Sequence, residues 1–367
     1  MILPREALVA EIAPAAVAWS IAERLDAVDD TADFAGSTAW CRAASDVLGD
    51  ANTAHVVFRD GSGTAVGWTM LERGAAGWRS GAPGASCVSW PFAAIGYRFR
   101  PRFLVELAPA LRATWIQALR SSFRGRRLEL VRLDPEEAAV EVEHAHLDRA
   151  DGPATWATKV SGDADGWYAT LDGKHRRDLK KYRRDIAAFG GEWCDTLDGA
   201  PLGESLDVLF ALHRRRIAHK GATSACGTPR SERFLRRLAE REAAAGTRVV
   251  VVRHGGEPMG ACLSFAHRRR LKVTVSGWDQ GFSRYDLGRQ VIHHQILREF
   301  ERGLVEIDLL GGDLPYKREF GLERRPTVDL VVRPSAFAAL REDLVHGAIE
   351  VVRAGRRPVG AGAKAKA

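Results

Sequence analysis

The strongest constraint on the fold is a change of hydrophobic period near residue 247. Before it, apolar residues recur at helical spacing through 172–190, 204–219 and 229–245. After it they alternate: 248–253, 259–266 and 271–278 read as strands, and His254-Gly255-Gly256-Glu257 reads as a turn. Three such strands make an antiparallel meander. Past a loop holding Gly281, helical spacing returns over 287–302. A short apolar strand follows at 305–310, then a Gly-Gly loop, a segment 315–321 and a last strand near 328–332. A helix that opens from a loop at a sheet end leaves its first N–H groups free, and such N-termini attract anions.

The first half is mixed and carries no sharp motif. Helices are expected at 14–29, 36–48 and 103–123, and a hairpin at 55–71 turning on Asp60-Gly61-Ser62-Gly63. A Gly, Ser and Pro-rich stretch at 74–96 holds one short strand near 86–90. A strand is expected at 127–133 and a short helix at 134–139, capped by Asp134 with Pro135 in its first turn. Residues 148–153 read as a connector. The expected organisation is therefore α+β in two domains, 1–150 and 151–354, with a Gly, Ala and Lys tail, 355–367, expected to be disordered.

Composition narrows the function. With 46% hydrophobic and 28% charged residues the chain can build real cores. No apolar run approaches the ~18 residues of a membrane span, and acids interrupt the apolar N-terminal stretch, so a cytoplasmic protein is expected. The five cysteines, Cys41, Cys87, Cys194, Cys226 and Cys262, show no CxxC or CxxH spacing, which points to free thiols and no metal site. The net charge of +7 is clustered, which suits a polyanionic partner such as a CoA-type phosphate or tRNA. DNA is not among the expected partners. A phosphate loop, a dinucleotide fingerprint and a G-x-S-x-G nucleophile are all missing from the sequence.

Four segments taken together resemble a known family. They are the basic LDGKHRRDLKKYRRDIAAFGG (171–191), EPMGACLSF (257–265), SGWDQGFSRYDLGRQVIHHQIL (276–297) and EIDLLGGDLPYKREFG (306–321). In that order they resemble the CelD/BcsL-type (BioF2-like) acetyltransferases, which are related to the FemAB-type aminoacyltransferases. The resemblance implies an acyl-CoA N-acyltransferase (GNAT-like) fold, with the first half a second, degenerate copy. It also implies an acyl-CoA donor, or aminoacyl-tRNA as the alternative, and no metal. The acceptor would be the amine of a small molecule or of a cell-envelope or polysaccharide precursor. Where the family has Pro-Gly, this chain has Leu287-Gly288, and one glycine remains for backbone entry to the helix.

The candidate site follows from these segments. The resemblance makes Lys317 the group that stabilises the acyl oxyanion. Tyr316 either protonates a leaving thiolate or orients substrate. Asp313 stands in the loop beside Lys317, better placed as a base, or as a helix cap. Asp308, in the strand before it, is either a base or a backbone partner. Asp279 is a base for the amine or a turn-former. Arg284, Tyr285, Gly288 and Arg289 frame the helix start, where arginines could grip phosphate. Trp278 lines a pocket wall or packs. Arg177 and Lys181 belong to a positive stripe with Arg176, Lys180 and Arg184, expected to meet a phosphate-bearing substrate. A non-catalytic accessory protein of polysaccharide biosynthesis is the alternative outside enzymology.

Overall fold

The computed structural model describes residues 8–28, 34, 37–74, 87–89, 102–103, 114–123, 128–138, 146–243 and 246–333. Its two halves arrange their elements in the same order. The first runs β1 (Val9–Ile12), α1 (Ala15–Val28), α2 (Thr38–Leu48), the hairpin β2 (Thr53–Arg59) and β3 (Ala65–Gly74), then β4 (Cys87–Ser89), β5 (Arg102–Phe103), α3 (Trp115–Ser122), β6 (Leu128–Leu133) and α4 (Pro135–Ala138). After β7 (His146–Lys159), α5 (Ala164–Thr170) and α6 (Gly173–Ala188), the second half repeats the scheme. It runs β8 (Gly191–Asp195), α7 (Leu202–His219), α8 (Pro229–Arg241), the hairpin β9 (Thr247–His254) and β10 (Glu257–His267), β11 (Arg270–Trp278), α9 (Leu287–Phe300) and β12 (Glu306–Gly311). The chain then adds α10 (Tyr316–Glu319) and β13 (Glu323–Arg333). Among the described residues no helix is long and apolar enough to cross a membrane.

All strands join one sheet, in the order β1-β2-β3-β4-β6-β13-β7-β12-β11-β10-β9-β8, with β5 beside β3. Each half contains one parallel pair, β4 with β6 and β11 with β12. Parallel neighbours need a crossover, and α9 supplies it in the second half. The closing strands are exchanged. β7 follows the first half in sequence but pairs with β12 of the second, and β13 ends the second half but pairs with β6 of the first. β7 and β13 also pair with each other from Ala157–Glu323 to His146–Arg333.

The expected connector at 148–153 is therefore the middle of β7, and the boundary at 150 falls inside a hydrogen-bonded strand. Its polar sequence reflects exposed side chains, while its backbone is satisfied by β13. β1, β8 and α5 carry too few periodic residues to stand out in sequence. Of the helix expected over 103–123, Trp115–Ser122 is helical and Phe103 belongs to a strand; 104–113 and the tail 355–367 lie outside the described residues.

The sheet of the second half is covered on both faces. In β9, Val249 and Val251 enter one core, while Val250 and Val252 enter the other. A strand buried on both sides reads as continuous valine, as here. The first core joins the two halves: Trp40 of α2 meets Phe234 of α8 edge-on at 4.7 Å. The second gathers α5, α6 and α9 around Trp167, Ile186, Val291 and Phe320. Because α9 lies between the sheet and α6, even its polar Gln290, His293, Gln295 and Glu299 are buried. Each finds a partner there: Gln295 reaches the carbonyls of Arg248 and Cys262, and Glu299 pairs with Arg248 at 2.6 Å.

Candidate active site in a split between parallel strands

The site begins where two parallel strands part. β11 and β12 pair only at Arg270–Glu306, Leu271–Ile307 and Lys272–Asp308. Beyond that point β11 stays with β10, while β12 shifts register against β7 between Asp308 and Gly311. Three side chains hold this departure. Asp308 forms a buried ion pair with Lys272 at 3.0 Å and accepts the Leu310 N–H at 2.7 Å. Leu310 takes a left-handed φ of 56°, an unfavourable choice for a leucine that needs such support. Lys317 then donates to the carbonyls of Leu309, Leu310 and Gly311 at 2.7, 3.0 and 2.8 Å.

This corrects the role expected for Lys317. An ammonium has three donors, and here all three meet backbone oxygens in a side chain that is 1% exposed. Burial pushes its pKa down to about 8, with Asp308 pulling it partly back. Lys317 shapes the strand end; no donor remains for an acyl oxyanion. Asp308 likewise serves the bulge and is no free base. Asp313 is exposed in the loop and acts on Lys317 only through its charge.

The opening is a cleft of ≈ 280 Å³. Ser276 and Trp278 of β11 form one wall, and Leu287, Gly288, Arg289 and Ile292 of α9 another. Ser283 and Asp286 come from the turn before α9, and Leu314 and Tyr316 from the segment after β12. The Tyr316 hydroxyl is pushed up to about 12 by burial, with Arg216 partly opposing the shift, so it stays protonated at neutral pH. Gly288 is required by contact: an added Cβ would lie 2.8 Å from the Trp278 ring. The expected reason, backbone entry to the helix, is replaced by this packing.

Arg216 arrives from α7, which crosses β11 at Gly277. A Cβ at Gly277 would stand 2.4 Å from the His213 nitrogen, so the two backbones touch. His213 fixes the crossing. Its Nδ1–H donates to the Ser276 carbonyl at 2.8 Å, and its Nε2 accepts from Ser224 at 3.0 Å. Burial holds its pKa below the usual histidine value, which fits a neutral ring. One turn later the Arg216 guanidinium stacks over Trp278, 4.4 Å from the ring centre.

An antiparallel meander, a crossover helix and a parallel strand that splays to open a cleft make a GNAT-like layout, and similarity to known proteins points the same way. Residues 173–318 match the family model described as an acetyltransferase (GNAT) domain. The chain has a GNAT-like fold. No curated protein matches it in sequence. Among solved structures it is similar to FemX, at 8% identity and a TM-score of 0.61, over 89% of this chain and 98% of that one. It is also similar to L-PGS from Bacillus licheniformis, at 11% identity and a TM-score of 0.51, over 91% and 97% of the two chains. A third is the C-terminal domain of a putative lysylphosphatidylglycerol synthetase from Agrobacterium fabrum, at 13% identity and a TM-score of 0.52, over 88% and 95%. At such identities these show a shared fold across both halves, as expected for tandem GNAT-like units.

The cleft collects Trp278, Gly288, Arg289 and Tyr316 of the expected site residues and leaves the others outside. Arg289 contacts Asp286 and Glu319 together, so its charge is already matched. Arg284 donates to the Tyr285 hydroxyl at 2.8 Å and lies over Phe189, on which Tyr285 also packs. Both face the end of α6 and do not line the cleft. Asp279 caps the turn after β11 by accepting the Gly281 N–H at 2.8 Å, and it pairs with Arg215. Arg177 and Lys181 are exposed on α6, where Lys181 pairs with Asp185 at 2.9 Å. Arg216, Ser276, Ser283, Asp286, Ile292 and Leu314 also line the cleft and were not expected in the site. No local pattern marks Arg216, because the helix crossing that delivers it is a long-range contact.

Proposed function

We propose that the GNAT cleft is the active site of an N-acyltransferase that moves an acyl group from acyl-CoA to an amine. The acceptor is the amine of a small molecule or of a cell-envelope or polysaccharide precursor, in line with the CelD/BcsL-type motifs of 257–321. The observation that carries the reading is the split between β11 and β12, with a protonated tyrosine at its mouth. The amine nitrogen attacks the thioester carbonyl, the C–N bond forms and the C–S bond breaks. The Tyr316 hydroxyl gives its proton to the departing thiolate, and the proton lost by the new amide nitrogen returns through solvent to the tyrosine.

One observation favours a second donor. The Asp286 carboxylate stands at the cap of α9, and Glu319 helps neutralise Arg289, so the first turn of α9 offers a pyrophosphate less positive charge than its sequence suggests. A donor such as aminoacyl-tRNA, which needs no pyrophosphate there, fits that arrangement. Thermal unfolding with acetyl-CoA and longer acyl-CoAs separates the two, since a bound donor raises the midpoint. Thiol release with a panel of amines then reads the transfer, and Tyr316→Phe lowers it by roughly 10²-fold. If every acyl-CoA leaves the midpoint unmoved and transfer in lysate is RNase-sensitive, the donor is aminoacyl-tRNA. If Tyr316→Phe supports the same transfer as the parent, the tyrosine has no chemical role.

A further inference from the structure

Three consecutive arginines on α7 meet different fates. Arg214 is clamped by both oxygens of Glu232 at 2.7 Å, and Arg215 pairs with Asp279 at 3.5 Å. The Arg216 side chain makes no hydrogen bond or ion pair among the described residues, and its Nε is enclosed without a partner. Partial burial lowers its pKa below that of an ordinary arginine, as expected for a charge partly withdrawn from water. A half-buried guanidinium left unmatched carries a desolvation cost that no partner offsets.

The position of this charge is fixed. His213 ties α7 to β11 and to Ser224, Gly277 lets the backbones touch, and Trp278 holds the guanidinium plane at 4.4 Å. A stacked guanidinium keeps its donor edge free for a planar, bidentate acceptor. The other ionised groups of the cleft are already matched, Asp286 and Glu319 to Arg289. Arg216 is thus the uncompensated charge among the cleft's lining residues.

We propose that Arg216 is an anion-recognition residue. It receives a carboxylate or phosphate group of the molecule that fills the cleft. The acceptor is then an amine that carries such an anionic group close to its nucleophilic nitrogen. The identity of the anionic molecule as the acceptor rests on the acyl-transfer reading; the anion site itself does not.

The test uses the full chain, with succinate and inorganic phosphate as separate probes, at concentrations up to the tens of millimolar. Binding is read by tryptophan fluorescence and by the unfolding midpoint. The parent responds to at least one probe, and the stronger response tells a carboxylate ligand from a phosphate. Arg216→Met weakens that binding at least tenfold, Arg216→Lys weakens it less, and Arg214→Met leaves it intact. Without probe, Arg216→Met melts at or above the parent temperature, because it removes an unmatched, half-buried charge. A purely structural arginine would instead lower that midpoint. No response of the parent to either probe, or equal binding by parent and Arg216→Met, overturns the proposal. Thiol release is not part of this readout, so a failure of acyl transfer and a failure of the anion site are seen separately.

Discussion

Replacing Lys317 by methionine separates a clamp from a catalyst. Methionine keeps the length and most of the volume of the side chain but removes the ammonium. The carbonyls of Leu309, Leu310 and Gly311 lose their donor, and Leu310 loses support for its φ of 56°. Hydrogen bonds to a charged group contribute roughly 1.5–3 kcal/mol each, so three place the gross loss near 5–9 kcal/mol. Removing the ammonium also returns several kcal/mol of desolvation, which leaves a net cost of about 3 kcal/mol. In urea this appears as a lower midpoint, and in a thermal scan as a drop of about 4 °C. The pH dependence adds a second check. The folded lysine titrates near 8, against 10.5 ordinarily. Between those values the unfolded chain binds more protons, so the parent gains stability as pH rises while Lys317→Met gains none from this source. The advantage of the parent therefore widens above pH 8. A Lys317→Met protein with an unchanged or raised midpoint but no acyl transfer would refute the clamp and return the ammonium to the reaction.

Three further perturbations test the frame around the cleft. Gly288→Ala drives a Cβ to 2.8 Å from the Trp278 ring; overpacking of about 1–3 kcal/mol is expected, with loss of the acetyl-CoA-dependent midpoint shift, and retention of that shift would show that the indole position does not matter. Gly277→Ala sets a Cβ against the His213 backbone at 2.4 Å, where neither chain can yield; a loss of about 3 kcal/mol is expected in urea unfolding, and a neutral result would contradict the tight crossing of α7 on β11. His293 is enclosed between Tyr168 and Gln290, and burial lowers its pKa to about 3. From pH 6.5 down toward 3 the unfolded chain binds the extra proton, so stability falls with pH, and His293→Gln flattens that slope. Equal slopes for parent and variant in urea titrations from pH 7 to 4 would rule out a neutral buried histidine.

What the amino-acid order determined alone was whatever depends on near neighbours. The meander, its turn at Gly255-Gly256 and the helix from Leu287 follow from period and turn chemistry, which act within a few residues. The same locality brought Trp278, Gly288, Arg289 and Tyr316 into the expected site, since all lie in the two segments that flank the cleft. It failed where a side chain's role depends on what the chain folds against it. Lys317 stands next to Tyr316 in sequence, yet its ammonium turns inward to three carbonyls, because the bulge after Asp308 leaves those oxygens unpaired. Arg284 and Tyr285 pack on Phe189, and Arg216 reaches the cleft only because α7 crosses β11 at Gly277. The exchange of β7 and β13 is of the same kind. Residues 148–153 are polar enough to read as a linker, and only pairing with a strand more than 170 residues away in sequence gives their backbone its hydrogen bonds. Charge and hydrogen-bond partners are settled by distance in space, and that distance exists only once the chain has closed.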